Sequence, residues 1–317
     1  MPARFGADDA GIAAAAARLI GGGLVAFGTE TVYGLGGRAD SAAAVAAIYA
    51  AKQRPAGNPL ICHYPDLESA RVDAEFGPVG LALAAAFWPG PLTLVLPRAP
   101  GCRIAANAGP PDTLAVRVPG HDAARALLRA VGVPIAAPSA NPSGGLSPTT
   151  AHHVLAGLGE KIDAVLDCGP CPVGIESTVL NLSGPYATLL RPGRVTVDEI
   201  EALIGPLGVP GDEVVRGPGL LGPHYAPRAA LRLNALCATA EEGFLAFGEG
   251  GRAQGPVFQL STRGDLTEAA ARLFTGLRLL DDIVLRRGLS DIAVMPIPNE
   301  GIGVAINDRL ARAALRT

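Results

Sequence analysis

The chain has 317 residues, with 26 Lys plus Arg against 29 Asp plus Glu and a formal charge of −3 at pH 7. That length predicts two domains with room for a sizeable core. The acidic balance excludes a broad nucleic-acid footprint, and an aromatic content of 4% excludes an extended base-stacking platform.

Asp8 or Asp9 is placed to cap a helix running to Ile20. The same acids, with Arg18 inside the apolar run, argue against a signal peptide. Gly21-Gly22-Gly23 ends the helix, and residues 24–27 read as a short buried strand. The next stretch is Gly28-Thr29-Glu30-Thr31-Val32-Tyr33-Gly34-Leu35-Gly36-Gly37. Its glycines would let backbone approach a ligand, and the hydroxyls of Thr29, Thr31 and Tyr33 would face it. The pattern is neither a dinucleotide fingerprint nor a Walker loop.

An alanine-rich helix over 41–51 leads into Ala51-Lys52-Gln53-Arg54-Pro55, and a strand over 60–64 follows. Cations at a helix end can be simple capping. Yet Lys52 and Lys161 are the only lysines in the chain. A lysine two residues from an arginine therefore marks an anion site that uses a point charge and a planar fork together. The expected place for the pair is an exposed helix end.

Residues 76–97 carry no charge, but Trp88-Pro89-Gly90-Pro91 breaks them into pieces too short to span a membrane. A short helix and a strand over 92–96 are predicted there. The alternation Thr113-Leu114-Ala115-Val116-Arg117 reads as a strand, with Arg117 either in a structural ion pair or facing an anion. A strand over 133–137 opens into Pro138-Ser139-Ala140-Asn141-Pro142-Ser143-Gly144-Gly145, a rigid polar loop of the kind that binds ligands at strand ends. A helix over 150–158 and a strand over 164–167 come next. Arg191 precedes another proline turn, and a short helix ends at Ile204. Between 205 and 227, 11 of 23 residues are Gly or Pro, which reads as a linker. Beyond it, strands near 244–247, 257–260 and 292–296 and a helix over 266–280 describe a compact α/β unit. The five cysteines are scattered, and Cys168-Gly169-Pro170-Cys171 lacks the second ligand pair a zinc site needs.

Taken in order, Phe27-Gly-Thr-Glu-Thr-Val-Tyr-Gly-Leu-Gly36, Lys52-Gln-Arg54-Pro-Ala-Gly-Asn58-Pro, Phe87-Trp-Pro-Gly-Pro-Leu-Thr, Pro138-Ser-Ala-Asn141-Pro-Ser-Gly, Glu176-Ser-Thr-Val179 and His224-Tyr-Ala-Pro227 resemble the YrdC-type threonylcarbamoyl-AMP synthases, in their long form with a C-terminal extension. The resemblance covers nearly the whole chain. Gly28 stands where the family usually has proline, and Gly145 where it usually has a basic residue.

The resemblance implies an α/β fold: a YrdC-like twisted domain with a positively lined cavity over 1–204, a Gly/Pro-rich linker or lid over 205–230, and a smaller Rossmann-like α/β domain over 231–317. It implies an enzyme that makes L-threonylcarbamoyladenylate and pyrophosphate from L-threonine, bicarbonate or CO2, and ATP, for t6A modification at position 37 of tRNAs reading ANN codons. Lys52 and Arg54 would be catalytic. Arg54, Asn58, Thr113, Ser139, Asn141, Ser147, Arg191 and Tyr225 would contact ATP. Thr31, His63, Arg117, Ala137 and Ser177 would contact threonine. A Mg2+ ion is expected, with Glu30 and Glu176 as candidate ligands. The partners implied are small-molecule substrates and a downstream t6A transferase machinery, in the cytoplasm, with no membrane and at most weak direct tRNA binding. Two other readings stand beside this one: a carbamoyl-phosphate-using transferase, which would need further domains, and a double-stranded RNA module, which the net charge disfavours.

Overall fold

The computed structural model describes residues 1–55, 57–209 and 224–315. Ten strands form one mixed sheet: β1 (Ala3–Gly6), β2 (Val25–Phe27), β3 (Gly34–Arg38), β4 (Ile61–His63), β5 (Leu92–Pro97), β6 (Thr113–Arg117), β7 (Ile135–Ala136), β8 (Ala164–Asp167), β9 (Thr178–Asn181) and β10 (Thr188–Arg191). Their lateral order is β1-β8-β2-β3-β7-β4-β6-β5-β9-β10. Alternation assigns the two faces: Leu24 and Ala26 pack into one apolar layer, while Val25 and Phe27 pack into the other. Both faces are therefore covered, which is why β2 reads as an unbroken apolar run.

The helices are set by their caps. Asp8 accepts the Gly11 N–H at the start of helix Asp9–Ile20, and Ser41 accepts the Ala44 N–H at the start of helix Ala42–Lys52. That second helix ends on Gln53 in a left-handed conformation, φ 53°. The turn sends Arg54 away from the helix axis.

The glycines after Phe27 are the main departure from expectation. Residues 34–37 belong to strand β3, and of the expected ligand-facing glycines only Gly34 lines the cavity. A Cβ on Gly36 would sit 2.9 Å from the Phe27 ring and 3.0 Å from Ile135, so glycine here permits close packing. Tyr33 also turns away: its hydroxyl donates to the Gly169 carbonyl at 2.8 Å and reaches Asp167.

The C-terminal unit contains β11 (Ala230–Arg232), β12 (Cys237–Ala238), β13 (Glu242–Ala246), β14 (Arg252–Ala253), β15 (Val257–Gln259) and β16 (Asp291–Val294). Its main sheet has the order β11-β16-β13-β15, all pairs parallel, and β12 pairs with β14 separately. Helix Leu266–Arg287 runs seven residues past the expected end, because no breaker occurs before Gly288 at φ 67°. The expected mixed α/β architecture is present in both units. No described helix is long and apolar enough to cross a membrane. Most of the Gly/Pro-rich stretch, residues 210–223, lies outside the described residues.

The two units share a core. Val32, Leu146 and Ile175 of the first pack in one apolar cluster with Phe274, Leu277 and Ile306 of the second.

Candidate active site

A pocket open at its mouth lies where β2, β4, β6, β7 and β10 end. Strand register builds one end of it. His63 and Arg117 are direct partners on the parallel strands β4 and β6, so both side chains leave the same face. Ile61, two residues before His63, lines the same wall. Thr29 and Thr31 join them, their hydroxyls 2.9 Å apart.

The other end gathers Arg54, Ser139, Glu176, Ser177, Arg191, His224 and Tyr225. Arg191 donates Nε and Nη2 to the Ser177 carbonyl at 3.1 and 2.9 Å, and Nη2 also to the Ser177 hydroxyl at 3.1 Å. Arg54 is oriented by the Asn58 and Pro59 carbonyls at 3.2 and 3.0 Å. Tyr225 has φ 63°, a costly backbone state for an aromatic residue, and its ring is buried against Phe274.

The cavity therefore collects Arg54, Ser139, Arg191 and Tyr225 from the expected nucleotide set, and Thr31, His63, Arg117, Ala137 and Ser177 from the expected threonine set. Lys52, Asn58, Thr113, Asn141 and Ser147 are not among its lining residues. Lys52 corrects the expectation of an exposed cation pair. It is 1% exposed, and its ammonium donates to the Ser139 and Asn141 carbonyls, each at 2.5 Å. It fixes the 138–141 loop from behind, which sets Ser139 at the cavity. Asn141 acts similarly, donating to the Pro142 and Gly145 carbonyls at 2.9 and 2.8 Å. Ser147 donates to Glu176.

Electrostatics separate the two ends. Burial, reinforced by Arg117, pulls the His63 pKa down to about 3, so the imidazole is neutral near pH 7. Its Nδ1 lies 3.2 Å from the Ile61 carbonyl, which fits a proton on that nitrogen. Burial lowers the Arg54 pKa to about 10 and also lowers that of Arg191. Both remain cationic at neutral pH. Desolvated guanidinium groups whose hydrogen bonds go to carbonyls and a hydroxyl favour an incoming anion.

Both proposed carboxylates are engaged by arginines, though Glu30 keeps one oxygen, Oε2, without a partner among the described residues. Glu30 pairs with Arg117 at 2.6 Å, and Glu176 pairs with Arg309 at 2.9 Å while accepting from Ser147. Among the described residues no group of three or more His, Cys, Asp or Glu could hold an ion.

Arg309 is the residue that sequence reasoning missed. It comes from helix Gly303–Ala314 of the C-terminal unit and is fully buried beside the cavity wall.

A mixed α/β sheet with Arg54, Arg117 and Arg191 lining one open cavity defines an α/β protein with an arginine-lined pocket. A family model described as "Telomere recombination" matches residues 18–193, and one described as "Threonylcarbamoyl-AMP synthase, C-terminal domain" matches residues 195–315. The chain is 39% identical to the threonylcarbamoyl-AMP synthase of Bacillus subtilis, covering 97% of this chain and 94% of that one. It is 41% identical to the enzyme of the same name from Pyrococcus abyssi, over 92% and 91%. Its fold is similar to the crystal structure of P. abyssi Sua5 complexed with L-threonine, with a TM-score of 0.86, 36% identity, and 99% and 97% of the two chains covered. The chain belongs to the threonylcarbamoyl-AMP synthase family.

Proposed function

We propose that this chain condenses L-threonine, bicarbonate or CO2, and ATP into L-threonylcarbamoyladenylate and pyrophosphate, the activated precursor for t6A in tRNA. The observation that carries this reading is a single cavity with two separate cationic ends, one beside a neutral histidine and two hydroxyls, the other flanked by an aromatic ring.

The chemistry demands such a division. The threonine amine adds to CO2 to give a carbamate. A carbamate oxygen then attacks the α-phosphorus, and the bond from that phosphorus to the bridging oxygen of pyrophosphate breaks. Two anions must be brought together and a third must leave, so the protein's task is positioning and charge neutralisation.

In this reading Arg117 holds the threonine carboxylate. Glu30 and the Gly90 carbonyl occupy its Nη2 and Nε at 2.6 and 3.3 Å, and no hydrogen bond from Nη1 is present among the described residues. Thr31, Ala137 and Ser177 shape the space for the rest of the amino acid. Neutral His63 adds no competing charge beside the amine. Arg54 and Arg191 neutralise the phosphates, Ser139 donates to them, and Tyr225 stacks on or bonds the nucleoside. Lys52, Asn58, Asn141 and Ser147 position these groups from outside the cavity, and Thr113 begins the strand that carries Arg117. Residues 1–204 act as the catalytic unit and 231–317 as a C-terminal unit docked on it. ATP chemistry and free thiols are consistent with the cytoplasm, where a t6A transferase would take the product.

The deciding assay is pyrophosphate release from ATP by the full chain. Release that requires both threonine and bicarbonate is expected. Release indifferent to either, or none, would overturn the reading.

A further inference from the structure

The C-terminal unit reaches the cavity wall at several points. Gly174, at φ 76°, lies so close to helix Leu266–Arg287 that a Cβ would fall 2.4 Å from the Ala271 backbone. Arg278 donates to the Leu146 carbonyl, and the Thr149 and Thr275 hydroxyls are 3.3 Å apart. These contacts fall on residues 146–149 and 174, just outside Ser147 and Glu176. The docking contacts therefore lie behind the Glu176 side of the cavity.

One side chain crosses that wall. Arg309 is 0% exposed. Its Nε donates to Glu176 at 2.9 Å, and its Nη1 to the Pro192 carbonyl at 2.9 Å and to Asp308 at 2.8 Å. Its guanidinium carbon sits 5.2 Å from the centroid of the Tyr225 ring, within cation–π range. Glu176 and Tyr225 both line the cavity, while Arg309 does not. It touches the back of two lining residues and the turn that follows Arg191.

We propose that Arg309 is a positioning residue through which the C-terminal unit holds the nucleotide end of the cavity, by occupying Glu176 and fixing the Tyr225 ring. The reason is charge competition. Glu176 feels two cations, Arg309 and then Arg191. With Arg309 present, its carboxylate is satisfied and Arg191 keeps its charge for an anionic ligand. With Arg309 gone, Arg191 becomes the nearest compensating charge for a buried carboxylate. A carboxylate so placed would compete with the ligand's phosphates for it. The ring of Tyr225, in its left-handed backbone state, would also lose one of its three ring contacts, keeping His224 and Phe274. The His63 and Arg117 end has no contact with Arg309 and would be unaffected.

This inference rests on the nucleotide reading of that end, and the test separates the two. Calorimetry on the full chain measures ATP and threonine binding for the wild type, Arg309→Met, Arg309→Lys and the pair Arg309→Met with Glu176→Gln. Thermal unfolding is followed for each. Wild-type protein that binds neither ligand overturns the functional reading itself. Given wild-type binding, Arg309→Met is expected to weaken ATP by about tenfold or more, the size of one displaced charge contact, with threonine changed by less than about twofold. Arg309→Lys keeps the charge but not the three-way fork and is expected to fall between them. Replacing Glu176 in the Met background removes the competing carboxylate and should restore part of the ATP affinity. If Arg309→Met does not fold, the Lys variant and the charge-free pair carry the test. Equal weakening of both ligands, no change in either, or no recovery in the pair would overturn the inference. A merely structural Arg309 predicts the first of these, since a smaller folded fraction weakens both ligands alike.

Discussion

The two ends of the cavity are built on different principles. His63 and Arg117 stand on adjacent parallel strands in direct register, and Arg117 is braced by Glu30 within the same unit. Arg54, Arg191 and Tyr225 leave from a helix terminus, a strand end and the far side of a Gly/Pro-rich stretch. Their supports are backbone carbonyls, one buried carboxylate and an arginine from the second unit. Sheet register is rigid and local; loop and interface support is distributed. The His63–Arg117 end should therefore tolerate disturbance of the C-terminal unit, and the Arg54–Arg191 end, proposed to hold the nucleotide, should not.

The sharpest way to break this comparison is to remove charge from the nucleotide end. Arg191→Met should reduce pyrophosphate release about a hundredfold, about 3 kcal/mol in the barrier, while threonine binding by calorimetry stays near wild type. Loss of threonine binding in step with the rate would merge the two ends.

Lys52→Ala comes next and should act through stability as well as rate. Its ammonium satisfies the carbonyls of Ser139 and Asn141 in a buried place. Hydrogen bonds to a charged group are worth about 1.5–3 kcal/mol, so the melting temperature should fall together with ATP affinity. An unchanged melting temperature would return Lys52 to the role of a cavity cation.

Arg117→Leu combined with Glu30→Gln avoids stranding a buried carboxylate. It should weaken threonine about tenfold more than ATP, as loss of one charge-assisted pair implies. Equal losses in calorimetry would reassign Arg117 to the phosphates or to structure.

The smallest expected effect is in pH dependence. The folded pKa of His63 is about 3, below its ordinary 6.5, so the unfolded chain binds more protons between those values. Stability should fall as pH drops through that window and be flat above it. His63→Gln should reduce the slope of unfolding free energy against pH. An unaltered slope would show that His63 is not buried neutral.

Part of the cavity lining was legible for a physical reason, while His63, Ala137 and Ser177 entered only through the family resemblance. Arg54, Ser139 and Arg191 sit in turns whose prolines and glycines punctuate an apolar chain, and a polar group there stands out. Lys52 was visible, but its direction was not: whether a helix-end cation points outward or back at a loop depends on the loop 138–141, far along the chain. Gly36 and Gly37 were misread because a ligand loop and a tightly packed strand call for the same residue, whereas Gly34 does line the cavity. Arg309 was invisible. It lies 133 positions from Glu176, on a helix where Asp308, Arg309 and Arg312 look like an ordinary solvated charge pattern. Only the docking of the two units turns one of those charges inward.

Hydrogen exchange on Arg309→Met against the wild type tests the contrast between the two ends without any ligand. Amides over 174–179 and 188–193 should exchange faster in the variant, while those over 61–64 and 113–118 should keep their wild-type protection. Faster exchange at both ends alike, or at neither, would contradict the account.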